Sequence, residues 1–188
     1  MPRRRYLFDP PDRFVTGTVG RPGDRTFFLQ AREGDRIVSI VLEKVQVAVL
    51  ADRLADLLSE LERRGVASVA SAESAEAPDD SAPLDEPLIE AFRAGSLTLG
   101  WDVGAERILI EARAQDEDGE AIDPDEDDDD DDDGPDLLRI RISAAAARSF
   151  ITRATRVVAG GRPPCPLCGA PLDPQGHICP RRNGHYVN

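Results

Sequence analysis

The sequence predicts an α+β fold: a duplicated βββα unit making a mainly antiparallel sheet with two helices, followed by a small C-terminal zinc-binding ribbon. Three observations predict it. Short β-branched or aromatic runs fall into two groups of three. Each group leads into a stretch with helical apolar spacing. All three cysteines and both histidines of the 188 residues lie between Cys165 and His185.

In the first group, RFVTGTV, RTFFLQARE and RIVSIVLE are separated by Gly20-Arg21-Pro22-Gly23 and by Glu33-Gly34-Asp35, both turn chemistry. Leu50, Leu54, Leu57, Leu58 and Leu61 then recur at three- and four-residue spacing, which predicts a helix that stops near Gly65. The second group reads SLTLGWDV, ERILIEARA and LLRIRIS. Ser143 is placed to cap a helix in which Ala147, Phe150, Ile151, Ala154 and Val158 share a face, and Gly160-Gly161 ends it. The groups align in detail. Phe14-x-x-Gly17 matches Phe92-x-x-Gly95, and RTFFLQAR (25–32) matches RILIEAR (107–113). Duplication implies a pseudo-twofold arrangement of six or more strands, each helix burying its stripe on the sheet. Trp101, the single tryptophan, stands at a strand end and reads as core or rim.

Charge divides the chain further. Residues 116–136 hold fifteen carboxylates and residues 67–87 hold six, neither stretch with a basic side chain; without them the net charge of −13 becomes +8. Both lack periodic apolar positions and read as disordered. The Asp run 127–133 reads as a solvated tether, with a cation sink or a phosphate mimic folding back on the arginines as alternatives. The expected organisation is therefore a first β-rich/helix unit over 1–66 and an acidic linker over 67–87. A second unit spans 88–161, with an acidic loop at 116–136, and the ribbon spans 162–188.

Cys165-Pro-Leu-Cys168-Gly is a zinc-knuckle sequence, in which a tight turn points two thiolates at one ion while backbone amides stabilise their charge. Cys179 is the natural third ligand. The fourth is His177 or His185, and spacing alone slightly favours His185. A segment this short and polar has little to fold around except a metal. Three cysteines with a Cys-x-x-Cys fit a metal site better than a disulfide framework. A catalytic zinc is not expected, because Asp173, the one carboxylate in the segment, sits in a Leu-Asp-Pro turn.

Residues 1–164 contain neither His nor Cys, which removes the usual general base, thiol nucleophile and Ser–His relay. Phosphate-cradling and dinucleotide-binding glycine patterns are also missing. The chain therefore reads as a non-enzyme. It has no run of 18 apolar residues and no signal peptide, so a cytoplasmic location and no membrane contact are expected.

The RYxFDPPDRFVTGTVG-like opening and CPLCGxPLDPxGHxCPRxNG ending resemble an uncharacterised actinobacterial family, domain of unknown function 3090. Only the acidic loops lie outside the resemblance. The family's terminal pattern is matched by Gly176, His177, Cys179, Pro180 and Arg181, which implies Cys165, Cys168, His177 and Cys179 as the zinc ligands. Family members are encoded near kinase-like and histidine-phosphatase-like proteins, so the resemblance implies a protein partner in a phosphoryl-linked pathway. The expected role is a zinc-binding adaptor or regulatory protein. The rival is single-stranded nucleic-acid binding by the sheet face, autoinhibited by the acidic loop. Its candidate phosphate contacts are Arg3–Arg5, Arg139, Arg141, Arg148, Arg153, Arg156, Arg181 and Arg182, with Phe14, Phe27, Phe28, Phe92 and Trp101 as stacking groups.

Overall fold

The computed structural model describes residues 3–21, 23–66, 68–70, 80–116, 118–121, 134–160, 165–168 and 179. The strands are β1 (Arg5–Phe8), β2 (Arg13–Arg21), β3 (Asp24–Glu33), β4 (Arg36–Leu42), β5 (Glu90–Asp102), β6 (Arg107–Ala114) and β7 (Leu137–Ile142). Helix α1 (Lys44–Arg63) follows β4, one helical turn covers 68–70, and helix α2 (Ala144–Ala159) follows β7. The class is α+β, as the sequence predicts.

The strands form one sheet in the order β1-β7-β6-β5-β4-β3-β2. Only β1 with β7 and β4 with β5 pair in parallel; the other neighbours are antiparallel. Equivalent strands of the two βββα units thus run the same way, and the units are related by a shift of three strands along the sheet. A flat sheet would set β1 and β2 about 29 Å apart. The residues from Phe8 to Arg13 reach only about 18 Å when fully extended. The sheet must therefore curl until its two edges approach. Side chains confirm the approach: Arg36 of β4 lies over the Phe8 ring of β1 at 4.2 Å and donates to the Leu7 carbonyl. In a curled sheet the shift becomes a rotation about an axis along the strands, the form the expected pseudo-twofold takes.

One face of the sheet carries the core. Phe14, Leu29, Ile40, Ile108, Ile110 and Ile140 point at the buried stripes of the helices, Leu50, Leu54, Leu58 and Leu61 on α1 and Ala147, Phe150 and Ala154 on α2. Phe14 stacks on Phe150 at 4.7 Å. The caps are local. Ser143 Oγ accepts from the Ala146 amide at 3.2 Å, Gln46 Oε1 accepts from the Glu43 amide at 2.7 Å, and Gly65 supplies a positive φ of 75° just past α1.

The opposite face differs between the halves. On β6 and β7 it carries the ion pair of Glu111 and Arg139. At the equivalent positions of β3 and β4, Gln30 Nε2 donates to Ser39 Oγ at 2.9 Å. Residues 80–88 then cover that first half. Gln30 exchanges hydrogen bonds with the Asp85 backbone at 2.8 and 3.0 Å. A Cβ on Gly17 would stand 2.8 Å from Leu84 Cγ, so glycine is what lets the segment lie flat. Its repeat equivalent Gly95 is crowded in the same way, by the backbone of Ala121 at 3.0 Å.

Four features depart from the expected elements. β1 was not anticipated, and β5 begins at Glu90 rather than near Ser96. The expected disordered linker 67–87 contains residues with defined places. Asp80 through Pro87 lie against β2 and β3, because Asp80 and Asp85 pair with Arg13 and Arg32; residues 67 and 71–79 lie outside the described residues. Of the expected loop 116–136, residues 117 and 122–133, including the Asp run, lie outside the described residues, while Asp136 pairs with Arg4 at 2.7 Å.

Candidate metal centre

The chain leaves α2 at Gly160, and the Cys165 to Cys168 stretch that follows forms a turn. This turn and Cys179 gather three thiols whose sulfurs all lie within 4.8 Å of one another. Cys165 and Cys179 are buried with their sulfurs 4.0 Å apart, and Cys168 is half-buried. The backbone amide of Cys168, foremost, and that of Leu167, donating at 3.4 Å, hold the Cys165 thiol below its ordinary pKa. A low-pKa thiol among other thiols is prepared to ligate, since the thiolate is the metal-binding form.

The spacing fits a metal ion. Four ligands around zinc at a Zn–S distance near 2.3 Å define tetrahedral edges of about 3.8 Å. The 4.0 Å separation is one such edge within a few tenths of an ångström. The three cysteines can therefore hold an ion, with soft thiolate donors on three corners. His177 and His185, the two candidates for the fourth corner, lie outside the described residues, as does Asp173. A family model described as "Protein of unknown function (DUF3090)" matches residues 6–179, from β1 through the last cysteine. The chain belongs to that family. No curated protein and no solved structure is significantly similar to this DUF3090 member. Among its described residues no helix is long and apolar enough to cross a membrane.

The arginines proposed as phosphate contacts have intramolecular partners. Arg4 pairs with Asp136, Arg139 with Glu111, Arg148 with Glu62 and Arg153 with Asp80; Arg141 reaches Asp9 at 3.1 Å and Asp102 at 3.2 Å. Arg3, Arg5 and Arg156 also make contacts, while Arg181 and Arg182 lie outside the described residues. Phe14, Phe27, Phe28 and Phe92 are buried, and Trp101 packs partly buried against the core.

Sequence reading missed one polar cluster altogether. Arg153 sits on the buried side of α2, between Phe150 and Ala154, and is 7% exposed. Its Nε donates to the Thr16 carbonyl at 2.6 Å and its Nη1 to the Asp80 carboxylate at 2.9 Å. Arg13 grips the same carboxylate at 2.6 and 2.9 Å and Asp85 at 2.9 Å. Arginine in an otherwise apolar helical stripe was the available signal, but its partners are more than 70 residues away.

Proposed function

We propose that this DUF3090 protein is a non-catalytic cytoplasmic adaptor whose C-terminal ribbon, folded around one zinc ion, docks a protein partner. The observation that carries the reading is the thiol cluster itself: two buried sulfurs and a half-buried third, with Leu167 between Cys165 and Cys168 half exposed at 51%. A metal at that position fixes a tight turn and offers its tip to a partner, which is how a small closed zinc site serves recognition. The fourth ligand in this reading is His177. The absence of His and Cys from residues 1–164 supports a non-catalytic role. Resemblance to the family supports a partner from a phosphoryl-linked pathway, kinase-like or phosphatase-like.

The test compares partners recovered by affinity purification of the full chain, of the chain lacking residues 162–188 and of the Leu167→Asp variant. Partners lost from both altered forms support docking through the ribbon; identical recovery by all three sinks it. Nucleic-acid binding is the weaker reading, because it needs free arginines and exposed rings, and among the described residues the side chains it would use are paired or at least partly buried.

A further inference from the structure

The chain keeps its oxidisable sulfur in one place. Residues 1–164 hold no cysteine, Met1 is the single methionine, and Cys165, Cys168 and Cys179 stand together in the ribbon. Their surroundings differ. Cys165 and Cys179 are 6% and 5% exposed, while Cys168 is half-buried, so it is the cysteine of the three that water reaches most easily. The Leu167 amide donates to Cys165 Sγ at 3.4 Å and occupies that sulfur further. Leu167 itself is exposed, which leaves the turn beside Cys168 open.

Oxidation of a thiolate follows its access to solvent. The three sulfurs all lie within 4.8 Å of one another, so a sulfenic acid on one has two thiols beside it. Closing such a gap to an S–S bond of about 2.05 Å takes a movement of at most about 2.8 Å. A short ribbon outside the hydrophobic core can make it.

We propose that Cys168 is the oxidation site of this protein: a hydroperoxide oxidises it, a disulfide joins it to Cys165 or Cys179, and zinc leaves the ribbon. The Cys168 thiolate attacks one peroxide oxygen. An S–O bond forms, the O–O bond breaks, and the departing hydroxide takes a proton to become water. The sulfur of Cys165 or Cys179 then attacks Cys168 Sγ. The S–S bond forms, and the sulfenic oxygen leaves as hydroxide and takes a second proton. Two thiolates have given up two electrons and the peroxide has accepted them. One thiolate and His177 remain, too few donors for a closed tetrahedral site. The consequence rests on the docking role proposed above for the ribbon. Without metal the ribbon opens and releases its partner, while the core keeps its own buried apolar residues. Reversible disulfides of this kind serve redox sensing in reducing compartments.

The experiment treats the zinc-loaded full chain with hydrogen peroxide and follows readouts that need no partner: zinc captured by a colorimetric chelator, intact mass, and peptide mapping of each cysteine. Expected are about one zinc released per disulfide, a loss of about 2 Da from the metal-free mass, and Cys168 in every disulfide. Dimedone, which traps sulfenic acids, should mark Cys168 ahead of the other two. A thiol reductant with added zinc should reverse the change. Cys168→His keeps a zinc donor but no oxidisable sulfur at that corner, and should release zinc at least about tenfold more slowly. Zinc retained by the treated wild type, a disulfide joining Cys165 to Cys179 with Cys168 free, or sulfinic acid at Cys168 without a disulfide would overturn the proposal. Metal content before peroxide tests the zinc site by itself, so a failure there is told apart from a failure of oxidation. Partner recovery before and after peroxide tests docking by itself: zinc release through Cys168 with undiminished recovery supports the oxidation site and sinks docking through the ribbon.

Discussion

Asp80→Ala tests what holds the outer face in place. The Asp80 carboxylate binds Arg13 through two hydrogen bonds of 2.6 and 2.9 Å and Arg153 through one of 2.9 Å. The two guanidinium side chains are only 11% and 8% exposed. Removing one partner of a buried pair costs about 3–5 kcal/mol, since the remaining charge stays desolvated. Asp85 still holds Arg13 at 2.9 Å, and carbonyls still face Arg153, so the low end applies, about 3 kcal/mol. For a chain of this length that lowers Tm by roughly 6–12 °C. Urea unfolding of zinc-loaded wild type, Asp80→Ala and Asp80→Asn should give the same ordering, with the Asn variant between the others. The pH dependence adds a second check. Arg13 holds the Asp80 carboxyl below its ordinary pKa. Its folded pKa is thus below the unfolded one, so its stabilisation is complete above about pH 4 and lost as pH falls through the folded value. The gap between wild type and Asp80→Asn should be flat from about pH 6 to 8 and close below about pH 4. An Ala variant within about 0.5 kcal/mol of wild type, or a gap undiminished at about pH 3, would refute the clamp.

Metal analysis of purified protein should find about one zinc per chain, absent from Cys165→Ser and Cys168→Ser, lost in His177→Ala and kept in His185→Ala; the opposite histidine pattern would move the fourth ligand to His185. Chelation should leave the main thermal transition in place, because the sheet-and-helix core buries its own apolar residues; loss of the whole transition would mean that the ribbon is part of that core. Gly17→Ala should destabilise by about 1–3 kcal/mol, since its Cβ would meet Leu84 at 2.8 Å, and a combined Gly17→Ala, Leu84→Ala variant should recover part of that loss in urea unfolding. Fluorescence anisotropy with mixed-sequence oligonucleotides should show no binding near 50 mM salt, with or without residues 116–136; affinity with a steep log–log salt slope would revive the nucleic-acid reading.

Local patterns made most of the fold legible. β2, β3, β4, β6 and β7 are dense in β-branched or aromatic residues between turn chemistry, and both helices carry apolar stripes that bury where the spacing puts them. β1 was illegible because Arg5–Phe8 is four residues long and its partner β7 begins more than 130 residues later. The start of β5 was hidden for a related reason. Glu-Ala-Phe-Arg-Ala-Gly lacks β-branched residues, and β4 and the bulge near Gly95 supply the order instead. At the metal centre the cysteines were legible because all the soft ligands stand in one short segment. The Arg13–Asp80–Arg153 cluster was not, since a carboxylate in a Ser-, Ala- and Pro-rich stretch has the composition of a tether whether or not an arginine waits for it.

That cluster changes what the charge of this protein means. Setting the acidic stretches aside leaves a remainder of +8, which looks like a surface for polyanions. Yet Asp80, Asp85 and Asp136 come from those stretches and return to the folded part, where each takes an arginine. The β6–β7 face is neutralised from within by Glu111 and Asp102. The two units differ in the pair they carry on the outer face. The unit with the neutral Gln30–Ser39 pair can bury its outer face under a segment of chain, because a covered amide–hydroxyl pair costs little once bonded. The unit with Glu111 and Arg139 buries charged groups there instead, Glu111 8% and Arg113 4% exposed, and keeps them paired because a lone buried charge is expensive. Divergence at these two pairs therefore lets one unit close under the Asp85 backbone through a neutral amide, while the other balances its charges on the sheet itself.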